Sequence, residues 1–277
     1  MKLELERMKR SSHRHAIRIV SLAPNVTSIL LALGAGRELV AVSRWCKDVA
    51  AVGRRPKVGD CWKLDVDEVV KLQPTLVIGS VPFAPETVAS LLAQPIAFLA
   101  INPRTLADIE SDTRVLGRVV GRAASGEKLI ARMRAGFEKV QLRGGNRREV
   151  ERPKVYCEAW PNPRISSPPW VDDLVTMAGG RLVVPSGQRV SDEQVADANP
   201  DVIVLAWAAT GARSKPATAL GNPVWKNVAA VRNRRVAVIR DELLNTPGPP
   251  LVRGAEELLR VLRGFTPETR KRAKDRA

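Results

Sequence analysis

The chain has 277 residues, room for one large domain or for two lobes of about 110–130 residues each, and its 44% apolar content can fill real cores. Its formal charge of +16 gathers in residues 1–16, 139–154 and 268–277, which carry +10 of it. These clusters read as solvated tails and a junction, or as weak attraction to nucleic acid or anionic lipid. The chain holds no apolar run long enough for a signal peptide or for a membrane span of about 20 residues, and as written it reads as cytoplasmic.

The elements alternate in the manner of parallel-sheet proteins. A strand is predicted over Arg18–Ala23, then a helix over Val26–Leu33 with Asn25 as N-cap and Gly34 as its stop. A second strand over Leu39–Ser43 leads into a long polar loop that carries Trp45 and Trp62. Next come a helix over Val66–Leu72, a strand over Thr75–Ile78, a helix over Pro85–Leu92 and a strand over Ile96–Leu99. Apolar residues then recur at helical spacing through Thr105–Arg143, broken at "AASGE", with Ser125 opening the second piece. That piece, about 18 residues, would span roughly 27 Å. It reads as a rigid strut whose Leu129, Ile130, Met133, Phe137 and Val140 pack against both lobes. The second lobe repeats the alternation with strands at Lys154–Glu158, Arg181–Val184, Val202–Leu205 and Arg235–Ile239. Its helices are expected at Val171–Ala178, Asp192–Ala198 and Leu251–Arg263. The expected divisions are 17–104, 105–143 and 154–265, with basic tails at 1–16 and 266–277.

Two stretches say the same thing twice. "LDVDEVVKLQPTLVIGS" (Leu64–Ser80) and "VSDEQVADANPDVIVLAW" (Val190–Trp207) each run acidic pair, short helix, proline and apolar strand. Aligning Pro74 with Pro200 places Asp67 on Glu193. The period is too long for a solenoid and points to two similar lobes.

The catalytic inventory is thin. His13 and His15 both precede the first strand, which leaves no Ser-His or Cys-His pair within the fold. Phosphate-loop and metalloprotease patterns are missing too. Cys46, Cys61 and Cys157 lack C-x-x-C spacing, which argues against a disulfide framework or a zinc site. Free thiols and a Cys46–Cys61 pair both stay open. The aromatics are more informative: six tryptophans stand against one tyrosine and four phenylalanines. Trp45, Trp62, Trp160, Trp170 and Trp207 fall at strand ends or in the loops beyond them. There they either face a large planar ligand or cap a lobe core. Trp225, in "NPVWKNVAAV", reads as structural.

These segments resemble the class III substrate-binding proteins of ABC importers, of the vitamin B12- and iron-complex-binding type. The matching text is "RIVSLAPNVTSILLALGAGRELVAVS", "VGDCWKLDVDEVVKLQPTLVI", "EAWPNPRISSPPWVDDLVTMAGG", "VSDEQVADANPDVIVL" and "NPVWKNVAAVRNRRVAVI", spread from Ile17 to Arg263. The third stretch is most similar to the cobalamin-binding branch. The resemblance implies two Rossmann-like α/β lobes with mainly parallel sheets, bridged by a long rigid helix. It also implies a non-enzymatic monomer that holds a corrinoid, or another bulky metal complex such as haem or a siderophore, between the lobes. Trp62 matches the family's stacking tryptophan, with Trp45, Trp160, Trp170 and Trp207 around it, and Asp67 and Glu193 match the carboxylates that dock on an ABC permease. No cofactor beyond the bound corrinoid is implied, and no metal ligand. The chain departs from the pattern at Ser186–Arg189, which offers no aromatic face. A cytoplasmic accessory or sensor of corrinoids is the second reading, and a basic nucleic-acid-binding protein the third.

Overall fold

The computed structural model describes residues 17–144, 149–210 and 213–264. The basic tails, His13 and His15 lie outside the described residues. The chain divides into two compact units. One takes the chain up to Asn102 together with Asp112–Gly126, and the other takes Pro103–Ser111 and everything from Glu127 onward. The expected connector at 105–143 is therefore shared between the two units.

The first unit is a five-stranded sheet in the order β3-β2-β1-β4-β5. Its strands are β1 (Ile19–Ser21), β2 (Leu39–Ser43), β3 (Lys57–Val58), β4 (Leu76–Ser80) and β5 (Ala97–Ile101). Every pairing is parallel, so each connection must cross over, and helices α1 (Pro24–Ala32), α2 (Val66–Lys71) and α3 (Pro85–Leu92) serve for this. Helix α1 starts one residue before the expected N-cap. Pro24 is preorganised for the first helical turn, and Ala23 before it is extended. Asn25 is instead buried inside the helix, its Nδ2 donating to Ser80 Oγ at 3.2 Å.

The long loop after β2 has more order than its polarity suggests. Arg44–Asp48 forms a short 3-10 helix. Arg55 then ties the segment down, donating to the carbonyls of Leu39, Val52 and Gly36 at 2.7–3.0 Å.

Two helices follow, α4 (Leu106–Val119) and α5 (Ala123–Gly144). The break between them comes one turn earlier than "AASGE". Gly121 takes φ +68, a left-handed conformation that favours glycine, and Arg122 N–H closes on Gly117 O. Ser125 is thus inside α5, which at 22 residues is longer than expected. The stripe Leu129, Ile130, Met133, Phe137 and Val140 is buried as expected, and it belongs to the second unit.

The second unit is built on β6 (Lys154–Pro161), flanked by β9 (Val202–Leu205) and then β10 (Val236–Val238). The other edge of β6 is split. β8 (Arg181–Leu182) pairs in parallel with its first half, and β7 (Arg164–Ser166) pairs antiparallel with its second. Sequence patterning missed β7, because three residues after a tight turn carry too little periodicity. Helices α6 (Val171–Met177), α7 (Asp192–Ala198), α8 (Pro216–Leu220), α9 (Ala229–Arg232), α10 (Asp241–Asn245) and α11 (Pro250–Arg263) complete the unit. Three of these short helices, α8 to α10, were not expected.

The duplication is written in the hydrogen bonds. In the first unit Arg18, just before β1, donates to the Leu72 and Gln73 carbonyls at the end of α2, and its N–H donates to Thr75 Oγ1 at 2.9 Å. In the second, Lys154 at the start of β6 donates to the Ala198 carbonyl at the end of α7, and its N–H donates to Asp201 Oδ2 at 2.9 Å. A cation at a helix C-terminus also suits the helix dipole. Each helix ends in a left-handed residue before its proline: Gln73 at φ +48 and Asn199 at φ +44. Asn tolerates that conformation and here also accepts from Ala229 N–H, whereas Gln gains nothing from it. Gln73→Asn is therefore expected to stabilise the fold by about 0.5–1 kcal/mol, read as a higher urea midpoint. An unchanged or lower midpoint would contradict the strain argument.

Candidate functional site

In a parallel α/β sheet, ligands gather outside the carboxyl ends of strands where the strand order reverses. The first unit reverses between β1 and β4. There the Asn25–Ser80 hydrogen bond spans the two strand ends, and Thr27 Oγ1 lies 2.8 Å from Ser21 Oγ and 3.1 Å from Cys46 Sγ. The second unit reverses between β6 and β9. The expected site residues other than Trp170 fall on these two rims, and each rim is built differently.

On the first rim, Trp45 sits in the 3-10 turn after β2, and Trp62 sits in the turn after β3. Trp62 is 63% exposed and Trp45 37%. One carboxylate organises both. Asp60 Oδ2 accepts from the Trp45 indole N–H at 2.8 Å, while Oδ1 accepts the backbone N–H groups of Trp62 and Lys63 at 3.0 and 3.1 Å. The turn is tight enough that a Cβ on Gly59 would overlap the Lys63 carbonyl. Arg44 lies over the Trp45 ring, 5.6 Å from its centroid. The Trp45 indole, tied down through its N–H, is preorganised for stacking, since less ordering entropy remains to be lost. Beneath Trp62, Cys61 is buried and its Sγ faces the Leu22 carbonyl at 3.7 Å.

On the second rim, Trp160 at the end of β6 is 39% exposed and donates its indole N–H to Asn162 O at 2.8 Å. Trp207, just past β9, is half-buried, and its indole N–H donates to Glu158 Oε1 at 2.8 Å. Glu158 itself is buried. Its other oxygen accepts from Tyr156 OH at 2.9 Å and from Arg164. Arg164 continues to Asp192 Oδ1, which also accepts from Asn222 Nδ2 at 2.9 Å. Burial, and then the Glu158 carboxylate, push the Tyr156 phenol well above its ordinary range, so it stays a donor. This network was missed from the sequence, although Glu158 and Arg164 both lie in the stretch that carried the resemblance.

Trp170 does not belong to either rim. It is 8% exposed, and its indole N–H donates to Leu244 O, 74 positions along the chain. It corrects the expectation of a ligand-facing residue: Trp170 is the N-cap of α6, and its ring is buried with its N–H on the Leu244 carbonyl. Trp225 is buried, as expected of a structural residue, edge-on to Tyr156 at 6.1 Å.

Asp67 and Glu193 occupy the same position, the second residue of α2 and of α7, and both are exposed. Their N-caps differ in chemistry but not in role. Asp65 accepts from the N–H groups of Asp67 and Glu68, and Ser191 forms a capping box with Gln194. The Ser191 hydroxyl holds the Glu193 carboxyl below its usual range, so it is charged at neutral pH. A recess of about 400 Å³ lined by Arg152, Asp172, Thr176, Gly180, Arg181 and Leu182 lies at the amino ends of β6 and β8, and neither Trp160 nor Trp207 lines it. The carboxyl-end rule places ligand binding at the rims instead.

Two α/β units with mainly parallel sheets and exposed aromatic side chains at their strand-end rims have the class III periplasmic binding-protein fold. The chain belongs to the periplasmic binding protein family, which it matches over residues 19–243, a family of substrate-binding proteins of ABC transporters. It is similar to an uncharacterized ABC transporter substrate-binding lipoprotein of Bacillus subtilis, YvrC, at 25% identity over 87% of this chain and 78% of that one. It is also similar to a vitamin B12-binding protein of Vibrio parahaemolyticus, at 26% identity over 92% and 91%. The fold is shared with the periplasmic heme-binding protein RhuT of Roseiflexus, with a TM-score of 0.77 at 24% identity over 89% and 98% of the two chains. It is shared as well with the vitamin B12-binding protein BtuF of Vibrio cholerae, with a TM-score of 0.71 at 22% identity over 89% and 96%.

Cys61 gives this rim a pH signature. Burial pushes its thiol up from 9.0 to about 11. A raised acid contributes stability that is whole below pH 9 and is lost as pH rises towards 11. The folded protein should leave Cys61 unlabelled by iodoacetamide at pH 8, with labelling appearing only on unfolding; rapid labelling of the folded chain at that pH would show the loop to be open.

Proposed function

We propose that this chain is the ligand-binding component of an ABC-type importer and that its ligand is a corrinoid. The observation that carries the reading is the first rim, where Asp60 accepts the Trp45 indole N–H and the Trp62 backbone N–H, and so ties together the two segments that carry exposed indoles. Such faces suit a broad, largely apolar macrocycle, whose burial supplies most of the affinity.

A haem is the second reading, and the tyrosine inventory weighs against it. Haem iron takes its protein ligand from His, Cys, Met or Tyr. Tyr156, the single tyrosine of the chain, is fully buried and donates to Glu158. The three cysteines are buried as well. A corrinoid brings its own axial ligands and needs only faces and polar edges. The vitamin B12-binding name of the Vibrio parahaemolyticus relative supports the same choice.

Cyanocobalamin is expected to quench tryptophan fluorescence on titration, more strongly and at lower concentration than haemin. Trp62→Ala should weaken its binding by about 1–3 kcal/mol, the order of one lost aromatic stacking face. Quenching by haemin alone would overturn the corrinoid assignment.

The import reading assigns Asp67 and Glu193 to docking. Both are exposed first-turn carboxylates of equivalent helices, so a permease bearing two basic patches would meet them in the same way. The double variant Asp67→Ala, Glu193→Ala should keep its cyanocobalamin affinity and lose stimulation of ATP hydrolysis by the reconstituted permease. Lost affinity in that variant would refute the division of labour. Affinity retained with no permease response from the wild-type protein would favour the cytoplasmic sensor.

A further inference from the structure

The buried network of the second unit joins two features to which the functional reading assigns different tasks. Trp207 stands on the rim, and Asp192 is the first residue of α7, next to Glu193. Between them lie only two side chains. Glu158, 1% exposed, accepts the Trp207 indole N–H on Oε1 at 2.8 Å and Arg164 on Oε2. Arg164 reaches Asp192 Oδ1 through Nε at 2.9 Å and through its second terminal nitrogen at 2.8 Å. Its guanidinium also lies 4.3 Å over the Trp225 ring, and the Trp225 indole N–H donates to the Asp192 carbonyl at 3.0 Å. The start of α7 is thus gripped twice, once through its side chain and once through its backbone, and Arg164 touches both grips.

We infer that Arg164 is a positioning residue that couples the Trp207 indole to the first turn of α7, and so to Glu193. The coupling rests on geometry. A guanidinium is a rigid planar fork that serves two carboxylates at once; burial keeps water from replacing its bond to Glu158, and on the half-buried Asp192 two of its nitrogens share one oxygen. If the Trp207 indole shifts, Glu158 loses a donor and must re-aim at Arg164, and Arg164 cannot turn without loosening Asp192. A ligand pressing on Trp207 would then alter the presentation of Glu193, telling a docking partner whether the rim is occupied. This consequence rests on the roles proposed above for Trp207 and Glu193; the coupling itself does not.

The test needs no ligand. Trp207→Phe keeps the ring and deletes the N–H, while Arg164→Lys keeps the charge and deletes the fork. Amide hydrogen exchange is read at Gln194 and Val195, whose N–H groups close on Ser191, with Leu258 and Leu259 in the core of α11 as reference. Trp207→Phe should speed exchange at the α7 amides on the order of tenfold and leave the reference amides unchanged. In the Arg164→Lys background the same change should add nothing further. Unchanged α7 amides in Trp207→Phe, or effects that simply add, would overturn the coupling, and equal acceleration at the reference amides would reduce it to general destabilisation. Should Arg164→Lys fail to fold, Asp192→Asn replaces it in the cycle under the same criterion. Adding cyanocobalamin to the wild-type protein separates the two levels: failure to bind counts against the functional reading, whereas binding that leaves the α7 amides unmoved counts against the transmission.

Discussion

Parallel strands cannot be joined by tight turns, and that constraint organises everything else in this chain. Each strand must hand over to a crossover, usually a helix, before the next parallel strand can begin. The carboxyl ends of the parallel strands, and the starts of the helices that follow them, therefore lie on one rim of each sheet, with β7 as the antiparallel exception. In the first unit that rim carries Trp45, Trp62 and the start of α2; in the second it carries Trp160, Trp207 and the start of α7. The exposed tryptophans and the first-turn carboxylates Asp67 and Glu193 share a rim because the chain path leaves them no other place.

The two rims are the same construction stiffened by different chemistry. In the first, a single aspartate on a tight turn holds the Trp45 indole and the Trp62 backbone, and both rings stay in contact with solvent. In the second, the fixing group is a carboxylate removed from water. A buried charge costs several kcal/mol unless it is fully paired, and Glu158 meets this with three donors: Tyr156, Arg164 and Trp207. Such a network adds little net stability compared with an apolar core. What it supplies is a single allowed arrangement, since any partner that moves leaves a charge unmet. The first rim is thus suited to stacking a ligand, and the second to holding a definite geometry.

The parts legible in the sequence were those governed by local chemistry. The repeat around Pro74 and Pro200 could be read because helix end, left-handed residue, proline and strand follow one another within a few positions, and the fold keeps that order down to the equivalent bonds of Arg18 and Lys154. The equivalence of Asp67 and Glu193 followed from it. Errors arose where two local signals competed: Asn25 is a good capping residue, but Pro24 claims the helix start, and Gly121 ends α4 before Ser125 could open α5. The rest was hidden by distance along the chain. Nothing near Trp170 announces that Leu244 will accept its indole N–H, and nothing near Glu158 announces Asp192. Strand-end position identified the tryptophans, but tertiary packing decided which of them keep an exposed face.

The central claim is that the exposed indoles of Trp45 and Trp62, whose segments Asp60 ties together, are the surface on which a corrinoid lies. A crystal structure of the protein grown with cyanocobalamin tests it most directly. The account predicts the corrin ring in van der Waals contact with Trp62 and Trp45, with the Trp45–Asp60 hydrogen bond intact. A corrin bound away from both indoles, or a cobalt ligated by a protein side chain, would contradict it.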